Sequence, residues 1–378
     1  MKDSTSAVPS CAARRQPRVR SALIPLVVSV LAFAVGIPVA SASGASAGFL
    51  ACMVTDTGGI NDHSFNASAW QGMQEAHAAN PSVTIKYLQS TSSADYVPNI
   101  SQFVSQKCGI IFTVGFLMVQ ATQQAAQKNP MDHFAIVDNA YDPPIKNVDS
   151  FFYDTDQDAF LGGYLAAGMS TSGAVGTFGG EDFSTVTIYM DGFWDGVQYY
   201  NQVNHTNIKV LGWSPNTGKD GTGTFVGNFT NQQQGSTITT TLMDQGADVI
   251  FPVAGGVGIG AAAAVKAKGS GYEMEWVDTD GCIAEPQYCG LFISSVTKGI
   301  AESVKTAVLQ TAAGHFQGGN SIGTLANGQV VLSPYHDWAS KIPAKLQAAI
   351  AKIKQEIISG KIVINVNATN NHTSYTVK

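Results

Sequence analysis

Short apolar runs alternate with amphipathic segments along most of this chain. The apolar run at 49–55 is followed by residues 64–79, in which Phe65, Ala69 and Met73 recur at helical spacing. Alternating strands and helices are typical of βαβ units and a mostly parallel sheet. The first series predicts strands at 49–55, 83–88, 109–114, 133–137 and 148–153, and helices at 64–79, 95–107 and 117–128.

The pattern restarts after residue 153, and a length of 378 residues suits about two domains. We therefore predict two similar α/β halves in tandem. The second series predicts strands at 174–178, 207–213, 247–253, 273–277, 291–295 and 329–332, and helices at 157–170, 187–202, 235–245, 257–268, 297–313 and 341–358. Residues 365–378 are predicted to form a polar end.

The N-terminal segment, residues 1–47, has the pattern of a secretory signal peptide. Four arginines precede an apolar run at 22–40, and small residues such as Ala45-Ser46-Ala47 follow it. Prolines interrupt the run, which favours cleavage over a retained membrane anchor. An alternative treats Leu50-Ala51-Cys52 as a lipoprotein signal with an acylated cysteine, but we prefer Cys52 as a buried strand residue. The mature protein is thus predicted to be exported.

The charged residues of the predicted mature chain limit the class of ligand that it is expected to bind. Without residues 1–47 the chain keeps 16 of its 21 basic and 26 of its 27 acidic residues, and it contains no arginine. Arginine is the usual partner of carboxylate and phosphate groups. An acidic chain without arginine is a poor candidate for binding nucleic acid, nucleotides or anionic substrates. The composition favours a neutral polar ligand.

Four cysteines follow the signal segment, and export permits disulfides. Cys282 and Cys289 bracket a short loop and are predicted to pair. Cys52 and Cys108 each begin an apolar run and could pair if their strands are neighbours; four buried thiols are the alternative. Neither pair has Cys-x-x-Cys spacing, so the sequence predicts no zinc site and no other metal or cofactor.

Glycine and polar residues follow most of the predicted strands. In open parallel sheets, ligands bind outside the carboxyl ends of the strands, and glycine there allows close approach of the backbone. Phenylalanines lie near the same loops, although core packing is their more usual role. The candidate ligand contacts are Asp56, Asn61, Gly115, Asp138, Gly256, Asp278 and Lys298, with Phe65, Phe178 and Phe229 as aromatic candidates.

The motifs that could indicate an enzyme are weaker than the pattern of candidate ligand contacts at the strand ends. Asp56-Thr57-Gly58 resembles an aspartic-protease triplet, but its only near match, Asp278-Thr279-Asp280, lacks the glycine, and the βαβ pattern excludes β-rich lobes. In the glycine-rich turn at 254–260, Gly256 and Gly258 match the start of a dinucleotide fingerprint, but its third glycine is replaced by Ala261. The histidines are scattered and form no metal-ligand spacing. We therefore predict a binding protein rather than an enzyme.

A series of motifs carries a family resemblance. In chain order they are VTDTGGINDHSFN at 54–66, Gly115-Phe116, FAIVD at 134–138, GGYLAA at 162–167, VGTFGG at 175–180, DQGADVIF at 244–251, AGGVG at 254–258, VDTD at 277–280 and SSVTK at 294–298. Over about residues 49–335 this set resembles the basic membrane protein family, the substrate-binding components of ABC transporters, similar to the purine-nucleoside receptor of spirochaetes.

The resemblance implies an α/β chain with the type I periplasmic-binding-protein fold. In that fold, two Rossmann-like lobes with parallel sheets are joined by three hinge strands, and the ligand lies between the lobes. The chain crosses between lobes, which explains why the tandem halves do not separate cleanly. We expect the N-terminal lobe at 48–153 plus 280–325 and the C-terminal lobe at 154–279 plus 326–378.

The resemblance also implies a ligand and roles for the candidate residues. Family members of known specificity bind purine nucleosides, so adenosine, guanosine or inosine is the expected ligand. The implied roles are stacking on the base for Phe65 and Phe229, recognition of the purine edge for Asp138, and contacts with the ribose for Asp56, Asp278, Lys298 and Gly256.

The expected partners are ABC permease subunits at the membrane, with no nucleic acid, and the expected state is a monomer. The expected location is extracytoplasmic, at the cell surface or in the periplasm, with or without a membrane anchor. The alternatives are a binding protein for a sugar or another small neutral polar solute, and a nucleoside-processing enzyme.

Overall fold

The computed structural model describes residues 48–215, 222–366 and 372–378. The predicted signal peptide therefore lies outside the described residues. From residue 48 to the end of the first series the elements are β1 (Phe49–Thr55), α1 (Phe65–Ala79), β2 (Val83–Leu88), α2 (Tyr96–Ser105), β3 (Ile110–Val114), α3 (Val119–Lys128), β4 (Phe134–Val137) and β5 (Val148–Tyr153).

The second series continues to the C-terminus. It contains α4 (Thr155–Met169), β6 (Ala174–Gly179), α5 (Ser184–Asn204), β7 (Lys209–Leu211), β8 (Trp213–Ser214), β9 (Thr222–Gly223), α6 (Gln232–Asp244), β10 (Val249–Val253), α7 (Gly258–Lys268), β11 (Glu273–Asp278), α8 (Gly281–Ala284), β12 (Phe292–Lys298), α9 (Ile300–Ala312), β13 (Gly319–Gly323), β14 (Val330–Leu332), α10 (Ala344–Ile358), β15 (Ile362–Val366) and β16 (Thr373–Val377).

The strands form two six-stranded sheets. The first has the order β13-β5-β4-β3-β1-β2 and is parallel throughout. The second has the order β14-β12-β11-β10-β6-β7, and only β14 is antiparallel to its neighbour. The chain passes from one sheet to the other after β5, after β12 and after β13. The prediction of two parallel α/β lobes is thus confirmed.

The pairing of strand β12 affects where the predicted boundary between the two lobes lies. It pairs with β11 in the second sheet, although residues 280–325 are assigned to the first lobe on sequence grounds. Helix α9, which follows it, packs on α1: a Cβ added to Gly72 would lie 2.3 Å from the carbonyl oxygen of Ala301. The pairing favours a crossing near residue 299 rather than 280, and the lobe boundaries themselves stay a prediction.

Five elements have no counterpart among the sequence predictions: β9, α8, β13, β15 and β16. Strand β13, with the sequence GNSIG, has no apolar run to indicate it and is defined by its pairing with β5. Strand β16 lies in the predicted polar end, where it forms an antiparallel hairpin with β15. This hairpin is tied to α5, because the backbone N–H of Thr373 donates to the Asp191 carboxylate at 3.0 Å.

The cysteines form two disulfides in the structure. Cys52 bonds Cys108, joining β1 to the loop two residues before β3, and Cys282 bonds Cys289 around a short loop. Cys52 is fully buried, so in this arrangement its sulfur is not available for acylation. Within the part of the chain that the structure describes, no helix combines the length and apolarity needed to cross a membrane.

Candidate functional site

A cleft lies where the carboxyl ends of the strands of both sheets meet. It encloses about 550 Å³ of space, part of which is open to solvent. Seven of the ten residues proposed from sequence line it together: Asp56, Phe65, Gly115, Asp138, Phe229, Asp278 and Lys298. The cleft is therefore built at the strand ends, as expected for open parallel sheets.

Asp56 directly follows β1, and only one of its two carboxylate oxygens accepts hydrogen bonds from the described residues. Its Oδ1 atom accepts hydrogen bonds from the Gly58 N–H and the Asn66 side-chain amide, both at 2.9 Å. Its Oδ2 atom faces Gly115, where an added Cβ would lie only 2.6 Å away and where φ is +115°, so this position requires glycine. Burial raises the pKa of Asp56 to about 7. A buried carboxyl with one unbonded oxygen is suited to accept a ligand hydroxyl.

Asp62 fixes the start of α1 and hence the position of Phe65. Its carboxylate accepts from the backbone N–H groups of Ser64, Asn66 and Ala67 at 2.7–3.0 Å. These N–H groups would otherwise lack partners in the first turn of the helix. Asp62 also lines the cleft, although only its neighbour Asn61 was proposed from sequence.

Lys298 is the cationic centre of the cleft. Its ammonium group donates to Asp138 Oδ2 at 2.7 Å and lies 3.4 Å from Asp278 Oδ1. It also lies 5.0 Å from the ring centroids of Phe65 and Tyr189, within the range of a cation–π contact. Burial alone would lower the pKa of Lys298, but the two carboxylates more than offset it and the pKa is raised. The side chain therefore stays charged at neutral pH.

Asp138 and Asp278 end their strands in the same unusual conformation. Their φ angles are +68° and +67°, in the left-handed region that non-glycine residues seldom adopt. Such conformations cost on the order of 1 kcal/mol and occur most often at functional positions. Asp278 is further held by the hydroxyls of Ser64 at 2.9 Å and Tyr189 at 3.1 Å. Both carboxylates are thus fixed toward Lys298.

An aromatic wall completes the cleft. The rings of Phe116 and Phe183 lie 5.4 Å apart, and those of Phe183 and Phe229 lie 6.5 Å apart. Sequence reasoning missed Phe116, Phe183 and Tyr189 as contacts. Phe116 directly follows the proposed Gly115, so its position after a strand could have indicated it. Tyr189 lies inside helix α5, where no sequence feature indicates a position in the cleft.

Three proposed contacts do not line the cleft. Asn61 is exposed on a groove outside the cleft. Phe178 is fully buried in the core of the second sheet, because its position in β6 directs the ring away from the cleft. Gly256 packs against the backbone of Asp62, with an added Cβ 3.4 Å from the Asp62 Cα atom. The structure thus places them at the surface, in the core and at a packing position, and a ligand contact by any of the three stays a prediction.

The loop before α1 also joins the two halves of the molecule. Ser64 Oγ donates to the carbonyl oxygen of Val277 at 3.0 Å, at the end of a strand of the second sheet. His63 Nδ1 lies 2.8 Å from a carboxylate oxygen of Glu285, which is 2% exposed. The first-sheet side of the cleft is therefore bonded directly to the second-sheet side.

One group of three side chains among the described residues has the spacing of metal ligands: Asp280, Cys282 and His336. Cys282 is held in a disulfide, so it offers no thiolate. Asp280 already bonds the Nε2 atom of His336 at 2.7 Å. None of the three lines the cleft.

Two α/β lobes around a cleft of carboxylates, one ammonium group and aromatic rings define a solute-binding protein with the type I periplasmic-binding fold. This chain belongs to the family described as ABC transporter substrate-binding protein PnrA-like, whose sequence profile matches residues 49–368. Its partners are accordingly a small-molecule ligand and the permease subunits of an ABC transporter, and its place of action is extracytoplasmic.

The chain is also similar to individual relatives and to a solved structure. The chain is 30% identical to the "ABC transporter nucleoside-binding protein BmpA" of Lactococcus lactis, over 83% of this chain and 88% of that protein. It is 31% identical to the "CD4+ T-cell-stimulating antigen" of Listeria innocua, over 84% and 88%. An ABC transporter solute-binding protein from Aeropyrum pernix has a similar structure, with a TM-score of 0.76 and 24% identity over 85% of this chain and 94% of that one.

Proposed function

We propose that the cleft binds a purine nucleoside and that the protein delivers it to an ABC importer. The observation that carries the proposal is the combination in one cleft of aromatic rings with the Asp138–Lys298–Asp278 group. A nucleoside has a planar base that stacks on rings and hydroxyls that bond to charged groups. It has no anionic group, which suits a cleft without arginine.

The roles follow from the positions of the side chains. Phe65 and Phe229 stack on the base, and Asp138 accepts from the purine edge. Asp278 and Lys298 bind the ribose hydroxyls, and Asp56 offers its free Oδ2 atom to the sugar end. Because Lys298 bonds both aspartates, base and sugar are recognised by one connected group rather than by separate subsites.

Delivery needs closure of the two lobes around the ligand and no covalent step. The three crossings between the sheets are where the backbone would bend. Ser64 and His63, which bond residues of the second-sheet side, would form these contacts as the lobes close. The protein acts as an exported monomer that binds no nucleic acid.

A thermal-shift screen tests this function. Adenosine, guanosine and inosine are each expected to raise the melting temperature in a concentration-dependent way, because a ligand of the folded state stabilises it by mass action. The free bases and ribose are expected to give smaller shifts, since each engages only part of the cleft. Equal shifts with sugars such as glucose, or no shift with any nucleoside, would contradict the proposal.

Phe65→Ala is expected to weaken nucleoside binding by about 1–3 kcal/mol, because it removes a stacking surface in a desolvated cleft. Isothermal titration calorimetry with the best nucleoside of the screen measures the effect. The matched control is Phe316→Ala, which removes a ring stacked on His133 away from the cleft. An unchanged affinity for Phe65→Ala would remove this ring from the site.

A further inference from the structure

A second groove lies on the face of the first sheet beside its edge strand β13. It is larger than the cleft, with about 1030 Å³ of space that is partly open to solvent. Its floor is formed by Asp149 and Phe151 of β5, and one wall is the polar side of α9, including Ser303 and Thr306. None of these residues takes part in the proposed nucleoside site.

The groove exists because the edge strand has almost no side chains on this face. Gly319 stands opposite Asp149, and Ser321 stands opposite Phe151. A Cβ added to Gly319, where φ is +129°, would meet no atom within 4 Å. Open space therefore lies directly beside the Asp149 side chain.

Asp149 is a buried carboxyl without a partner. It is 8% exposed and lines the groove, and none of the described residues gives it a hydrogen bond or an ion pair. Lys305 of the adjoining helix α9 is paired with Glu75 and Glu302 instead. Burial raises the pKa of Asp149 to about 7, and no charge or hydrogen bond from the described residues offsets this effect. A buried acid normally has such compensation within the protein.

We propose that this groove is a second ligand site, which binds a small organic cation through a primary ammonium group paired with Asp149. The ammonium group supplies the three donors and the charge that the carboxylate lacks. The Ser321 hydroxyl also lines the groove, and the Thr306 hydroxyl, which donates to Glu302, still has an oxygen that can accept from the ammonium group. A nucleoside would not compete for this site, because the two sites share no lining residue.

The test uses 1,4-diaminobutane as the probe and 1,4-butanediol as its uncharged match, in calorimetry and thermal shift at pH 8. The wild-type protein is expected to bind the diamine and not the diol, with or without saturating nucleoside. Asp149→Asn is expected to lower the diamine affinity at least tenfold. Asp337→Asn, an exposed acid distant in sequence and outside the groove, is the matched charge control and is expected to bind as wild type.

Ser321→Trp is the second variant, because it fills the groove and leaves Asp149 in place. It is expected to abolish diamine binding while nucleoside binding is kept, and it decides the question if Asp149→Asn does not fold. Equal binding of the diol, unchanged binding by either groove variant, or displacement of the diamine by nucleoside would overturn the proposal. An equal thermal shift with sodium or magnesium ions at the same concentration would also overturn it.

Discussion

Replacing Lys298 by methionine is expected to lower the free energy of unfolding by about 3–5 kcal/mol, the usual cost of removing one partner from a buried ion pair. The ammonium group of Lys298 lies 2.7 Å from Asp138 and 3.4 Å from Asp278, and its side chain is 3% exposed. Without it, two buried carboxylates would face each other with no cation. Urea unfolding at pH 8, where carboxylates resist protonation, measures the loss.

Two control variants test whether the loss of stability in Lys298→Met comes from the buried ion pair. Lys305→Met breaks exposed pairs with Glu75 and Glu302 and is expected to change stability little. Adding Asp138→Asn to Lys298→Met is expected to restore part of the stability, because one of the two unpaired charges is gone. A loss for Lys298→Met no greater than that for Lys305→Met would show that the cleft does not depend on this ion pair.

Glu275 is expected to make the protein less stable as the pH rises. It is fully buried in β11, and neither carboxylate oxygen has a hydrogen-bond partner. Burial raises its pKa from 4.5 to about 8. The folded protein therefore keeps a proton that the unfolded chain loses, so the favourable contribution is complete below pH 4.5 and is lost progressively as the pH approaches 8.

Glu275→Gln tests this dependence, because it keeps the shape and removes the charge. At about 1.4 kcal/mol per pH unit, the wild type is expected to lose on the order of 5 kcal/mol over that window through this group. Urea unfolding at pH 5 and pH 9 is expected to show a large stabilisation of the variant over wild type at pH 9 only. Glu302→Gln, at an exposed position, is the control. Parallel curves for wild type and Glu275→Gln would mean that Glu275 does not titrate in this range.

The regular elements were largely predictable from the sequence, because their apolar periodicity is strong. Strand β1 and helix α1 differ from the predictions by at most one residue at either end. Strand β13 was not predictable, since GNSIG has no apolar alternation and is a strand only through β5. The same holds for the placement of β12, which depends on pairing with β11 and not on its own sequence.

The cleft was predictable where a contact belongs to a strand end. The polar residues at the carboxyl ends of β1, β4 and β11 were proposed on that rule, and the structure brings Asp56, Asp138 and Asp278 together. Phe178 shows the limit of the rule, because its direction depends on the pleat of β6 and not on its nearness to a loop. Tyr189 shows the other limit, since its position inside helix α5 gives no sign that it lines the cleft.

The sequence by itself determined the α/β class, the family and the strand ends that carry the polar groups, because periodicity and motifs are local properties. Tertiary structure alone decided that Lys298 pairs with Asp138 as well as Asp278 and that Phe183 joins the aromatic wall. It also placed Asp149 beside a second groove. These features depend on contacts between residues far apart in the chain, where distance and burial, rather than residue type, set the energy.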